Sequence, residues 1–189
     1  DKDDYEADIY IKDGKIAAIS KEVLQGASRQ ITDAEGCYVL PGLIDGHIHS
    51  RDGYESQKNK DDFYHSTGGA AVSGITSIME MPNMFPTIYC ADSLKKQAEY
   101  LAESAFTDYG IWGLCLGELN IGNVESLAKE GVCGFKLFWG SAINSKTYQL
   151  INNYKKDMPD ALPPLDKGQI YKYFKEVAKT GKIIGIHAE

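Results

Sequence analysis

His47 and His49 are separated by one residue and close an apolar run that begins at Pro41-Gly42. In an extended strand side chains alternate between faces, so both imidazoles leave on one side and two nitrogens can converge on one cation. Chance packing and metal ligation are both open readings of such a pair, and position favours ligation. Three of the four histidines in the chain, His47, His49 and His187, fall at the C-terminal ends of expected strands. In folds built from parallel strands and helices, active sites form at that end. Taken alone, His187 reads more readily as a hydrogen-bonded core histidine than as a ligand, and the other two histidines favour the second reading. His65 sits in an expected helix between Tyr64 and Ser66 and is assigned a surface or packing role.

Lys136 lies in the run Cys133-Gly134-Phe135-Lys136-Leu137-Phe138-Trp139, where a charged ammonium without a partner is costly. One reading has its stem lying along the strand and its head reaching water. The other uses the same desolvation. A lysine with depressed pKa adds carbon dioxide as the neutral amine, and the two oxygens of the resulting carbamate can bridge a pair of metal ions.

These side chains require strands to hold them. In residues 1–40, Ile9, Ile11, Ile16 and Ile19 flank Lys12-Asp13-Gly14-Lys15, which predicts a hairpin with an Asp-Gly turn. A second strand pair is expected around Glu35-Gly36, entered from Ile31 and left through Cys37-Tyr38-Val39-Leu40. This segment reads as part of a small β-sandwich. From Pro41 short apolar strands alternate with helix-length stretches, the pattern of parallel βα units. Strands are expected over 42–49, 75–81, 109–116, 132–139 and 182–187, and helices over 61–73, 91–104, 124–130 and 167–180. The last helix carries a stripe of Ile170, Tyr173, Phe174 and Val177. The fold class is therefore α/β, with residues 41–189 forming about five strands of an incomplete TIM (β/α)8 barrel, a fold that typically needs about 250 residues. The chain is expected to be an N-terminal fragment with an unpaired edge, unstable alone. The alternative, an open doubly wound sheet, lacks a Gly-rich phosphate loop after any strand. The polar, proline-containing stretch 144–164 is expected to be neither strand nor helix, and to act as a substrate lid.

Composition narrows the partners. With 27 acidic and 20 basic residues, a formal charge of -7 leaves no broad basic surface for nucleic acid or anionic lipid. No apolar run approaches the roughly 20 residues that cross a bilayer. Cys37, Cys90, Cys115 and Cys133 are too far apart for a zinc ribbon or a redox pair and are read as buried free thiols. A cytoplasmic protein acting on a small molecule is expected.

The segments Pro41-Gly42-Leu43-Ile44-Asp45-Gly46-His47-Ile48-His49, Gly134-Phe135-Lys136 and His187-Ala188-Glu189 resemble, in type and order, the cyclic amidohydrolases of the amidohydrolase superfamily. The opening Ala7-Asp8-Ile9-Tyr10-Ile11-Lys12-Asp13-Gly14-Lys15-Ile16 is similar to their N-terminal β segment, so the resemblance covers nearly the whole chain. It implies a metal-dependent hydrolase that opens a cyclic amide or ureide ring. His47 and His49 would bind the more buried of two divalent ions, carboxylated Lys136 would bridge both, and His187 would bind the more exposed one. Zinc is the first expectation, although manganese, cobalt or iron suit the same donors. The resemblance also implies a homo-oligomer. A further histidine on the sixth strand and a general-base aspartate after the eighth would lie beyond residue 189, so these residues alone are expected to be inactive.

The substrate is read from fewer residues. Arg51, and Asn83 in Met81-Pro82-Asn83, resemble the dihydroorotase residues that hold a substrate carboxylate, although a surface arginine and a turn asparagine remain open readings. Tyr109-Gly110-Ile111-Trp112-Gly113 and Gly131-Val132-Cys133-Gly134-Phe135-Lys136 are similar to allantoinases. Hydantoinases and dihydropyrimidinases carry a tyrosine five residues after the bridging lysine, where this chain has Ser141. An allantoinase-like activity is expected, with dihydroorotase and then hydantoinase or dihydropyrimidinase as alternatives. A non-catalytic binding or scaffolding protein on the same fold is the alternative of a different class.

Overall fold

The computed structural model describes residues 4–24, 26, 28–53 and 61–188; Glu189, the last residue of the His187-Ala188-Glu189 motif, lies outside them. The chain divides into two compact units, residues 1–40 and 41–189. In the first, β1 (Asp8–Lys12) and β2 (Lys15–Ser20) pair antiparallel. Both central residues of their turn have positive φ, +53° at Asp13 and +71° at Gly14, the combination whose twist matches the flanking strands. The expected second strand pair does not form. A turn at Glu35-Gly36 is closed by the Cys37 N–H donating to the Ala34 carbonyl at 2.9 Å, but no ladder extends from it among the described residues. Alternating apolar residues make a strand when one face is covered, and Ile31, Tyr38, Val39 and Leu40 are all exposed.

In chain order the second unit runs β3 (Leu43–Ile48), α1 (Phe63–Val72), β4 (Ile75–Glu80), α2 (Ala91–Ala102), β5 (Asp108–Ile111), β6 (Gly113–Leu114) and α3 (Val124–Glu130). It continues through β7 (Phe135–Trp139), β8 (Ala142–Asn144), β9 (Leu150–Ile151), β10 (Ala161–Leu162), α4 (Lys167–Ala178) and β11 (Ile184–Ala188). The pairs β3–β4, β4–β5, β6–β7 and β7–β11 are all parallel. The strand expected over 109–116 is divided at Trp112. The Trp112 N–H donates to the Glu80 carbonyl at 3.0 Å, whereas the Gly113 N–H donates to the Gly134 carbonyl at 2.9 Å. Pairing thus passes from β4 to β7 within one residue, and the two three-stranded sheets follow each other in sequence order.

The helices cover one face of these strands. Phe63, Ile78, Leu101, Ile111, Leu127, Phe135, Leu137, Ile170, Tyr173 and Val177 form the main core. Each such side chain contributes about 1.5–3 kcal/mol on burial. In α4 the buried stripe is Ile170, Tyr173 and Val177, while Phe174, expected to join it, is exposed. Capping fixes the helix starts: the Asp62 carboxylate accepts the His65 N–H at 2.8 Å, and Asp166 and Gln169 cap α4 reciprocally. His65 thus belongs to the start of α1, its Nδ1 also 2.8 Å from Asp62.

Two further expectations are corrected. The stretch 144–164 is not strandless, because β8 pairs antiparallel with both β9 and β10 in a small sheet. Strands of two or three residues carry too little alternation to be seen in sequence. The four cysteines are free thiols, but only Cys115 is buried, and Cys37 is exposed. Cys37 lies in the uncovered 31–40 segment, and Cys90 is half-buried because it caps α2.

Two buried polar groups pin the strand ends. Asn120 Oδ1 accepts the Leu116 N–H at 2.9 Å and meets the Tyr173 hydroxyl, while its Nδ2 donates to the Leu114 carbonyl at 2.7 Å. This ties α4 to the chain leaving β6. Glu80, 1% exposed at the end of β4, accepts the Ser50 N–H at 3.1 and 3.2 Å on its two oxygens and so fixes the chain leaving β3. Burial pushes the Glu80 carboxyl up from 4.5 to about 8. We expect Asn120→Ala to cost about 2–4 kcal/mol and Tyr173→Phe about 1–2 kcal/mol in urea unfolding, and unchanged midpoints would remove this network from the stability account. Because the folded-state pKa of Glu80 is raised, its contribution is complete below pH 4.5 and is lost as pH rises towards 8. Relative to Glu80→Gln, wild-type stability should therefore fall over that window by on the order of a few kcal/mol. A pH-independent difference between the two would show that Glu80 titrates normally.

Candidate metal and substrate site

His47 ends β3 and His49 follows it by two residues, so both imidazoles leave the same side, opposite the core-facing Ile48. Their Nε2 atoms are 3.2 Å apart. Two nitrogens about 2.1 Å from one tetrahedral ion lie roughly 3.4 Å apart, so the pair is spaced as two ligands of a shared cation. The other ring nitrogen of His49, Nδ1, is 2.9 Å from Asn83 Oδ1. A carbonyl oxygen only accepts, so Nδ1 carries the proton and Nε2 keeps its lone pair. Burial, and then the Arg51 and His47 charges, lower the His49 pKa to about 4. Burial, and then the Lys136 charge, lower that of His47. Both rings are therefore held in the neutral form that ligates.

Lys136 is the second residue of β7, paired with Leu114 of β6 and Gly185 of β11, and is 3% exposed. Desolvation lowers its pKa. Its Nζ lies 5.3 Å from the centre of the Phe138 ring, and the other face of the site is approached by His187, whose ring stacks on Phe138 at 5.7 Å. The Lys136 and His187 charges both act on His47. His47 thus lies within electrostatic reach of Lys136 and His187, and His49 within reach of His47 and Lys136. Among the described residues no group of three His, Cys, Asp or Glu side chains is placed to hold a metal ion. The donor set is two imidazoles with a buried amine, and an amine in ammonium form cannot ligate. The set fits a metal centre once Lys136 is converted to an anion such as a carbamate.

Trp112 packs against this strand pair. A Cβ at Gly134 would lie 2.6 Å from its ring and one at Gly185 3.3 Å from it, so both glycines make room for the indole. Its Nε1 is buried without a hydrogen-bond partner among the described residues. Arg51 and Asn83 follow the ends of β3 and β4. Arg51 has φ +63°, a left-handed conformation, and its charge reaches His49. Asn83 commits its carbonyl oxygen to His49, which leaves its NH2 as the donor available to a substrate.

The residue that sequence reasoning missed is Glu80. Its signal was present, a lone acid in the apolar Ile78-Met79-Glu80-Met81-Pro82, of the same kind that marked Lys136. By alternation it shares the Ile78 face, on the core side of β4.

No family model matches the chain. An L-hydantoinase from Paenarthrobacter aurescens is 29% identical over 184 residues, covering 97% of this chain and 36% of the relative. An allantoinase from Bacillus velezensis is 30% identical over 185 residues, with 97% and 36% covered. The solved L-hydantoinase (dihydropyrimidinase) from Arthrobacter aurescens superposes with a TM-score of 0.80 at 30% identity, over 98% of this chain and 37% of that structure. The chain thus spans little more than a third of the length of the relatives it matches. In sequence and in fold it is a homologue of the N-terminal part of the hydantoinases and allantoinases.

Proposed function

We propose that the protein is a metal-dependent hydrolase that opens a cyclic amide or ureide ring, with an allantoin-like ureide as its substrate. The observation that carries this reading is the pair of Nε2 atoms 3.2 Å apart at the end of β3, beside a buried lysine whose pKa is lowered by desolvation. Allantoinase is also the most frequent name among the relatives. In this reading residues 41–189 are the first part of a (β/α)8 barrel, and residues 1–40 are part of a small β-sandwich. His47 and His49 would hold one divalent ion, and Lys136, once carboxylated, would together with His187 serve a second. Zinc suits these donors best, with manganese, cobalt or iron as substitutes. When bound, two such ions acidify a water and polarise the ring carbonyl. The chain's own residues do the rest. Asn83 holds the His49 tautomer through Nδ1, and the burial around Lys136 lowers its pKa, which favours the neutral amine that adds carbon dioxide. Arg51 and Asn83 grip the polar substituent of the ring. No helix of the described residues is long and apolar enough to cross a membrane, and we place the protein in the cytoplasm as a homo-oligomer.

Dihydroorotate is the second reading, favoured by Arg51, whose guanidinium suits a carboxylate. The full-length protein should contain two divalent ions per subunit. Lys136→Ala should lose both metal and activity, and short carboxylic acids should restore part of each by occupying the vacated bridge. Two ions per subunit retained in that variant would refute the bridging role. Assays of allantoin and dihydroorotate opening separate the substrates. An arginine paired with a substrate carboxylate is worth about 2–5 kcal/mol, so Arg51→Ala should reduce kcat/KM for dihydroorotate by roughly two orders of magnitude or more. For allantoin the loss should be mild. Wild-type turnover of dihydroorotate alone would replace the allantoin reading. Metal binding with no ring opened would favour a non-catalytic binding protein.

A further inference from the structure

We propose that Glu80 is a positioning residue for Arg51, acting through the Ser50 backbone to aim the guanidinium at the substrate. The inference rests on the reading of Arg51 as a substrate contact.

The turn 50–53 departs from β3 immediately after the histidine pair. A left-handed conformation is strained for a side-chain-bearing residue such as Arg51, so it persists only where its surroundings impose it. Downstream of Arg51 the chain is held from several sides. The Asp52 carbonyl accepts the Phe85 N–H at 3.2 Å, and its carboxylate accepts the Phe63 N–H at 3.2 Å and the Tyr100 hydroxyl at 3.2 Å. Gly53 has φ +80°, and a Cβ there would lie 1.8 Å from the Phe85 carbonyl oxygen. Upstream, the Ser50 N–H is held by Glu80. Removing that acceptor frees the entry side of the turn and lets Arg51 relax towards an ordinary φ, which swings its side chain away.

Glu80 works from behind the site. It lies on the Ile78 face of β4, whereas His47 and His49 project from the opposite side of β3 to Ile48, so the acid reaches neither the ligand nitrogens nor a substrate between them. The charged groups that face it are Asp52 and Arg51, both on the turn it holds. Because burial favours the uncharged carboxyl, a glutamine amide reproduces both its shape and its accepting oxygen.

The test uses the metal-loaded full-length protein, with allantoin and dihydroorotate assayed in parallel, and metal content measured for every variant. Glu80→Ala and the gentler Glu80→Asp, which withdraws the acceptor by one methylene, should raise KM about tenfold. In both, kcat should stay within about twofold and two metals should be retained. Glu80→Gln should restore KM to within about threefold of wild type. In an Arg51→Ala background the Asp substitution should no longer change KM. A Glu80→Asp effect that persists without Arg51, falls on kcat, or is not rescued by glutamine overturns the proposal. If Arg51→Ala itself leaves KM unchanged, the substrate-contact reading fails instead. Should Glu80→Ala not fold, the Asp and Gln variants decide the question.

Discussion

A lysine amine enclosed within an apolar strand, with desolvation lowering its pKa, is the constraint around which the second unit is arranged. Water solvates an ammonium far better than a strand lined by Phe135, Leu137 and Phe138 does, so this environment shifts the equilibrium towards the uncharged amine. A neutral amine is a nucleophile and a metal-site precursor, whereas an ammonium is neither. The neighbouring strands respect the same requirement. Gly134 and Gly185 leave the space that Trp112 fills, and the ring of Phe138 adjoins both the Lys136 amine and the His187 imidazole.

Strand alternation then separates chemistry from scaffolding. On β3, Ile48 packs into the core while His47 and His49 project away from it, and on β4 Ile78 and Glu80 share the core side. Each strand therefore carries the site on one face and its support on the other. A change on the core face can move the site without touching a reacting atom, as the Glu80 bond to the Ser50 N–H illustrates. Period-two geometry makes such action at a distance inevitable in a parallel sheet covered by helices.

The same periodicity explains what the sequence disclosed. Long strands and helices with strong patterns, such as β4, α2 and α4, lie within a few residues of where their apolar spacing puts them. The convergence of His47 and His49 was legible because it depends only on alternation over three residues. The Asn83 bond to His49 was not, since it joins residues 34 apart and depends on how the ends of β3 and β4 meet. Glu80 was missed although it broke an apolar run just as Lys136 did, because the lysine belonged to a recognisable motif, whereas the reading of Met81-Pro82-Asn83 beside the glutamate rested on Asn83. The failure at 31–40 has another cause: alternation specifies which face wants cover, but not whether a cover is supplied. The division at Trp112 is likewise tertiary, being set by the transfer of pairing from β4 to β7.

The proposed ligands and the proposed substrate contacts obey different mechanical demands. Lys136 is paired on both sides, with Leu114 and Gly185, and His187 is held in register with Phe138, whereas His47 lies at an irregularity of the β3–β4 ladder. Arg51 and Asn83 sit on the turns just beyond, where a left-handed residue and a proline set the direction of the chain. Turns accept substitution at a cost confined to a few residues, whereas a shifted strand register would move every ligand at once. In the proposed reading, ring specificity can therefore be altered at position 51 while the histidine pair and Lys136 stay in place, whereas Asn83 is tied to His49. A fold arranged in this way can serve several ring substrates with one set of ligands.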